Sequence, residues 1–281
     1  MTDAAETNDA AGPGWNGAND AAGPVGNGAA DHIAGNRERW NATADEYQSR
    51  NAPQITEQMR TGDLAWGLWG IRESQLHVLG DVAGKDVLEL GCGAAQWSIA
   101  LARRGARAFG LDLSDVQLAH ASRLREEMGV RVSLVHASAE QVPFADGSFD
   151  VVFADHGAFT FGDPYRTIPE SARILRSGGL LAFNRSHPLN EIAWPTDDDH
   201  ASERLVYDYF DTFRITDPDG ITVFTLPMGE WIRLFTENGL VVETLIEPRP
   251  DPDAVSTYRD ATDLEWSRKW PAETIWRCRK R

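Results

Sequence analysis

Residues Val87–Leu101 read VLELGCGAAQWSIAL: an apolar run, a carboxylate, a glycine turn and then helix-forming residues. Glycines between a strand and a helix let the backbone approach a ligand closely, so the first question is which ligand. A dinucleotide fingerprint is G-x-G-x-x-G, whereas GCGAAQ carries Gln96 at the third position. The Gly-Lys-Ser/Thr of a mononucleotide loop is absent. Glu89 ends the apolar run two residues before Gly91. A carboxylate there repels a pyrophosphate approaching the same turn and suits an ammonium or sulfonium group.

Outward from this stretch the chain alternates. Strands are expected at Asp86–Leu90, Arg107–Leu111, Arg131–His136, Asp150–Ala154 and Leu180–Asn184. Helices are expected between them at Ala95–Arg104, Ser114–Met128 and Pro164–Leu175, the second with Ser114 as N-cap and Gly129 as stop. That rhythm predicts parallel βαβ units and an α/β, doubly wound sheet with helices on both faces. Ligands of such sheets sit beyond the carboxyl ends of the strands, where Gly91 and Gly93 fall. Asp112 ends the second strand, a place where an acid accepts the hydroxyls of an adenosine ribose. In HASAEQVPFADGSFDVVFADHG (His136–Gly157), Ala139 and Glu140 are positioned to line an adenine.

The remaining organisation is read as five segments. Residues 1–31, rich in Ala, Gly, Asn and Asp, are expected to be a disordered tail. Residues 32–80 form an N-terminal helical lid, with Trp40, Ala44 and Tyr47 at helical spacing and DLAWGLWGIRESQLHVL as a second apolar-periodic stretch. Residues 81–184 are the cofactor-binding core. Residues 185–226 are a cap insertion after strand five, with RLVYDYFDTFRI and GITVFTLP as two strands around the turn TDPDG. Residues 227–281 complete the sheet through the helix MGEWIRLFTENG and the strands LVVETLIEP and ETIWRCRKR, an antiparallel pair at its edge.

Composition narrows the partners. The net charge of -16 disfavours nucleic acid, and acids such as Asp3, Glu6, Asp9, Asp20 and Asp31 precede the first basic residue, Arg37. No apolar run approaches the roughly 18 residues of a membrane span. Two cysteines, Cys92 and Cys278, support neither a disulfide framework nor a zinc site. A cytoplasmic monomer or homodimer acting on a small-molecule acceptor is expected, with no nucleic acid and no membrane partner.

ELGCG, GLDLS, ASAEQVPFADGSFDVVFADHG and ILRSGGLLAF, in this order from about Asp86 to Phe183, resemble the successive motifs of class I S-adenosylmethionine-dependent methyltransferases, in particular the small-molecule branch of bacterial biosynthesis. The resemblance implies a Rossmann-like seven-stranded sheet of order 3-2-1-4-5-7-6 with the last strand antiparallel. It implies S-adenosyl-L-methionine as cofactor, S-adenosyl-L-homocysteine as product, and a secondary metabolite, aromatic or heterocyclic, methylated on O, N or C. Gly91 and Gly93 would admit the methionine end, Asp112 would hold the ribose, and Leu113, Ala139 and Glu140 would frame the adenine. Tyr47 would close over the methionine carboxylate. Glu89, Cys92 and Asp155 complete the expected cofactor contacts, although Cys92 also reads as a small packing residue. The third glycine of the family's loop is Ala95 here, which fits if that position starts the helix.

A base is needed only where the acceptor must lose a proton. His156, after strand four, and His187, after strand five, are the candidates, since imidazole titrates near neutrality. The Asp-Asn pair of metal-dependent relatives is missing, so no metal is expected. Trp40, Trp66 and Trp69 are candidate walls of an acceptor pocket. A nicotinamide-dependent oxidoreductase and a catalytically silent cofactor-binding protein are the competing readings.

Overall fold

The computed structural model describes residues 28–281. Helix α1 (Gly28–Thr61) leads into a small hairpin, β1 (Ala65–Trp66) and β2 (Ile71–Arg72), and the short helix α2 (Glu73–Leu76). The alternating region follows as β3 (Asp86–Leu90), α3 (Gln96–Arg103), β4 (Arg107–Asp112), α4 (Asp115–Glu127), β5 (Val132–His136), β6 (Phe149–Asp155), α5 (Gly157–Phe161), α6 (Pro164–Ile174) and β7 (Leu175–Ser186). Beyond it lie α7 (Pro188–Ala193), the hairpin β8 (Arg214–Thr216) and β9 (Thr222–Phe224), α8 (Met228–Glu237), β10 (Leu240–Ile246), α9 (Ala261–Lys269) and β11 (Glu273–Lys280). The expectation for residues 1–31 falls outside the described residues up to residue 27, and α1 already begins at Gly28.

Seven strands form one sheet in the order β10-β11-β7-β6-β3-β4-β5. Numbered within the sheet alone, this is the expected 3-2-1-4-5-7-6. β3 runs parallel to β4 and β6, and β11 is antiparallel to both β7 and β10. The first parallel strands are apolar almost throughout because helices cover both faces. Leu88 and Leu90 of β3 enter the layer with Phe183, Trp231 and Phe235, while Val87 faces the layer of Trp66, Trp97 and Phe153. Each such large side chain, once buried, contributes roughly 1.5–3 kcal/mol. Local signals agree with the packing: Ser114 Oγ caps α4 by accepting from Gln117 N, and Asp163 with Pro164 opens α6.

Several expectations need correction. DLAWGLWGIRESQLHVL is not a second helix: it makes the β1–β2 hairpin and four residues of α2. Gly67 and Gly70 take positive φ and break any helical run. Of RLVYDYFDTFRI only Arg214 onward pairs as a strand, the preceding residues being irregular apart from a turn at Tyr209–Asp211. A helix, α9, separates the last two sheet strands; its N-cap, Asp260, accepts from Thr262 N and Asp263 N. Among the described residues no helix is long and apolar enough to cross a membrane.

The hairpin owes its shape to Glu73. This buried carboxylate accepts hydrogen bonds from Trp66 Nε1 at 2.6 Å, Val78 N at 3.2 Å and Leu79 N at 2.8 Å. Replacement by alanine strands these donors in the interior. Glu73→Ala is therefore expected to lower unfolding free energy by about 3 kcal/mol in urea titrations; a loss below about 1 kcal/mol would show that the hairpin is held otherwise.

Candidate active site

A cavity of about 890 Å³ opens at the carboxyl ends of β3, β4 and β6. One wall is α1, with Trp40, Tyr47 and Gln48, and another is the cap, with Trp194, Ile215 and Val223. Tyr258 and Arg259, from the segment before α9, close a third side. The volume lies in the upper range of small-molecule sites.

The turn after β3 is held from both sides. Gly91 sits at φ 73°, and a Cβ on it would lie 2.7 Å from Ala158 N. Only glycine lets the start of α5 pack that closely. Gly93 N donates to Asp112 Oδ2 at 2.7 Å, and Ser114 N donates to Asp112 Oδ1 at 2.8 Å. Asp112 thus ties the glycine turn of one strand to the helix cap of the next. Glu89 Oε2 accepts from Ser98 N at 3.0 Å and Ser98 Oγ at 2.6 Å, in the first turn of α3. Ala95 is the N-cap of α3, fully buried and left-handed at φ 58°. It starts the helix and is not part of the cavity wall, which is why a side chain is tolerated there.

Three carboxylates at adjoining strand tips share this cavity. Burial pushes Glu89 up to about 8, against the two hydrogen bonds from Ser98, and the charges of Asp155 and Asp112 add to the rise. Burial also raises Asp112, against its backbone hydrogen bonds, and raises Asp155, with the charge of Glu273 contributing. Glu140, Glu191, Asp198, Asp217 and Asp219 line the same cavity, whereas its guanidinium groups are Arg50 and Arg259. Such a wall favours a cationic ligand and resists a phosphate.

Of the residues singled out in the sequence, Tyr47, Glu89, Gly91, Gly93, Asp112, Leu113, Ala139, Glu140, Asp155 and His156 are brought to this one cavity. Tyr47 packs edge-on against Trp40 and lies 3.5 Å, oxygen to oxygen, from Tyr258. Glu140 Oε1 accepts from Asp163 N at 2.9 Å and lies 2.6 Å from His32 Nε2. Its Oε2 is buried without a hydrogen bond among the described residues.

Cys92 lines the cavity as well, while its thiol packs among Ala95 and Ala121, against Gly110; burial raises its pKa well above the ordinary value, so it is not a reactive thiolate. Others fall elsewhere. His187 is not at the cavity. Its Nδ1 caps α7 by accepting from Leu189 N at 2.9 Å, and its Nε2 lies 3.0 Å from Glu247 Oε1, so both ring nitrogens are engaged. Trp66 is buried against Trp97 and Phe153, and of the three candidate tryptophans only Trp40 reaches the wall.

His156 stands at φ 58° and ψ −94°, a backbone region non-glycine residues avoid, at a cost of about 1–3 kcal/mol. Its N–H donates to Asn184 O at 2.9 Å. Its Nε2 lies 2.8 Å from Glu273 Oε1, and Glu273 also accepts from Leu68 N at 3.0 Å and Asn184 Nδ2 at 2.8 Å. Asn184 Nδ2 reaches Asp155 Oδ1 at 2.9 Å, and Gly67 N donates to Asp155 at 3.0 Å. Glu273, Asn184 and the Gly67–Leu68 turn escaped sequence reasoning. The available signal was a carboxylate at the head of ETIWRCRKR, a strand that enters the core: Glu273 is only 2% exposed.

Residues 88–183 match the family model of a methyltransferase domain. A demethylmenaquinone methyltransferase of Lactococcus lactis subsp. lactis (strain IL1403) is 29% identical over 157 residues, covering 54% of this chain and 59% of that protein. A ubiquinone biosynthesis O-methyltransferase of Aromatoleum aromaticum (strain DSM 19018 / LMG 30748 / EbN1) is 36% identical over 104 residues, 37% of this chain and 44% of that one. The chain thus spans about half the length of these curated relatives. The crystal structure of an S-adenosylmethionine dependent methyltransferase from Mesorhizobium loti has a TM-score of 0.60 at 23% identity, covering 74% of this chain and 96% of that one, a likeness of fold.

Glu89 makes stability depend on pH. Its folded pKa, about 8, exceeds the ordinary 4.5, so its contribution is fully present below 4.5 and is lost as pH rises through 8. The loss by pH 9 is on the order of 4 kcal/mol. Glu89→Gln is expected to melt higher than the parent at pH 9 and to narrow that gap by pH 5; a gap that does not change with pH would remove Glu89 as its source.

Proposed function

We propose that this chain, whose residues 88–183 match a methyltransferase-domain model, transfers a methyl group from S-adenosyl-L-methionine to an O, N or C atom of a small aromatic or heterocyclic acceptor. One observation carries the donor assignment: the buried Glu89 and Asp112 and the half-buried Asp155 converge on a cavity beside a glycine turn. That donor set fits a sulfonium compound with an α-ammonium group and a ribose. A nicotinamide dinucleotide would press its pyrophosphate against the same three acids.

Glu89 has one carboxylate oxygen outside the Ser98 bonds, free to meet the cationic methionine end. Asp112 spends one lone pair of each oxygen on backbone N–H groups, leaving the others for ribose hydroxyls. Leu113, Ala139 and Glu140 frame the adenine. Gly91 and Gly93 give the ligand access to the backbone, and Tyr47 closes over the carboxylate end. The bound donor supplies an electrophilic methyl carbon and leaves as S-adenosyl-L-homocysteine. Positioning and water exclusion provide most of the acceleration for such a displacement.

The acceptor side of the cavity is apolar, with Trp40, Phe161, Ile215 and Val223. These surfaces support a flat ring system, and the relatives named for quinone biosynthesis are in keeping with an acceptor of that size. His156 faces the cavity from the tip of β6 and takes the proton of an acceptor that must lose one.

Calorimetry with S-adenosyl-L-homocysteine is expected to give a Kd in the micromolar range. Affinity should rise with pH by at most tenfold per unit below about 8 and level off above, because the cation needs the Glu89 carboxylate ionised. Glu89→Gln and Asp112→Asn should each weaken binding at least tenfold; no binding by the parent would defeat the assignment. His156→Ala should keep S-adenosyl-L-homocysteine affinity within about threefold while lowering transfer to acceptors found by labelled-donor screening roughly 10²–10⁴-fold. Unchanged transfer would take His156 out of the base role.

A further inference from the structure

The network behind His156 joins residues far apart in the chain. Glu273 opens β11, Asn184 lies on β7, Asp155 ends β6 with His156 next as the N-cap of α5, and Gly67–Leu68 form the turn of the β1–β2 hairpin. Glu273 Oε1 accepts from Leu68 N at 3.0 Å and Asn184 Nδ2 at 2.8 Å, and it meets His156 Nε2 at 2.8 Å. A Cβ on Gly67 would lie 2.3 Å from this same oxygen, so the hairpin turn is fitted to the carboxylate. His156 Nδ1 has no hydrogen bond among the described residues, and the ring lines the cavity.

We propose that Glu273 is the positioning residue of a His156–Glu273 pair, fixing the ring so that Nδ1 receives the proton of an acceptor whose O–H or N–H must be broken. This rests on the methyl-transfer reading and narrows its acceptors to those with a proton on the nucleophilic atom. In the step, the acceptor's O–H or N–H bond breaks and its electron pair stays on the acceptor atom for the new bond to carbon. The proton goes to Nδ1. The imidazolium keeps its Nε2–H on the Glu273 carboxylate until the Nδ1 proton passes to water at the cavity mouth.

The charges around the ring agree with this direction. Burial alone lowers the His156 pKa, but the hydrogen bond and charge of Glu273, with Asp155 adding, outweigh it and hold the ring above its ordinary value; Arg259, from the segment before α9, opposes them. For Glu273, burial raises the pKa, but the hydrogen bond and charge of His156, then Asn184 and Leu68 N, bring it below the ordinary value, so it stays ionised. From α1, Tyr47 is the titratable group facing Asp155, with Tyr258 beside it. Removing the Glu273 charge therefore leaves burial and Arg259 against Asp155 alone.

The test needs no acceptor. Carbethoxylation of His156 by diethyl pyrocarbonate, followed by peptide mass spectrometry across pH, reads the deprotonation midpoint of the ring in the full chain, and ¹⁵N-histidine spectra read it independently. In Glu273→Gln, which keeps the size of the side chain, the midpoint is expected to fall by about one unit or more. Glu273→Asp, which keeps the charge, should recover part of the shift. An unchanged midpoint in Glu273→Gln overturns the pairing, as does an equal fall in both variants. Should Glu273→Gln not fold, the Glu273→Asp midpoint against the parent decides: a value at or below that of an unstructured histidine overturns the pairing, and one held above it supports it. S-adenosyl-L-homocysteine binding, measured alongside, fails separately if the methyl-transfer reading is at fault.

Discussion

Buried carboxylates held by backbone N–H groups are the constraint from which the rest of the molecule follows. Asp112 is fixed by Gly93 N and Ser114 N, Glu89 by Ser98 N, Asp155 by Gly67 N and Glu273 by Leu68 N. Each acid would be costly to bury alone. Each becomes tolerable because a helix start or a tight turn aims unsatisfied donors at it. The sheet puts the acids side by side, and the turns keep them from collapsing onto one another. Burial raises the pKa of Glu89, Asp112 and Asp155 all the same, so ionising them side by side is costly. A positive charge brought among them lowers that cost.

How far these features could be read in advance depended on how local their causes are. The five parallel strands and their helices were legible because periodicity, Ser114 as a cap and Gly129 as a stop all act within a few residues. Most of the candidates now found at the cavity were legible because they follow strand ends, whereas Tyr47 was read from its helical spacing in α1. His187 misled because a strand end and an imidazole also suit a helix cap, and nothing local says which way the ring turns. WGLWG looked helical because Trp66 and Trp69 fall three residues apart, while the reason for the turn is two distant acids, Asp155 and Glu273. α9 escaped because the face it buries holds Asp263 and Ser267 beside Trp266, so no apolar stripe marks it.

The attachments to the sheet also make sense in these terms. α1 contributes Tyr47 to the cavity and His32 to Glu140, so it serves as a wall rather than an independent unit. The segment around Tyr258 links three elements. Thr257 Oγ1 reaches Asn51 and Gln54 of α1, Ser256 Oγ donates to Leu68 O, and Arg259 stacks on Trp194 at 4.5 Å. A change at this strap reaches the lid helix, the hairpin under Glu273 and the cap together.

The left-handed backbone of His156 has an evolutionary consequence. Glycine is the residue most at ease at φ 58° and ψ −94°, so thermodynamic selection alone pulls this position away from histidine. Against that pull stands Glu273, whose buried carboxylate would lose a partner together with the ring. Backbone strain and an interior charge thus compete at one codon, and relieving the first exposes the second.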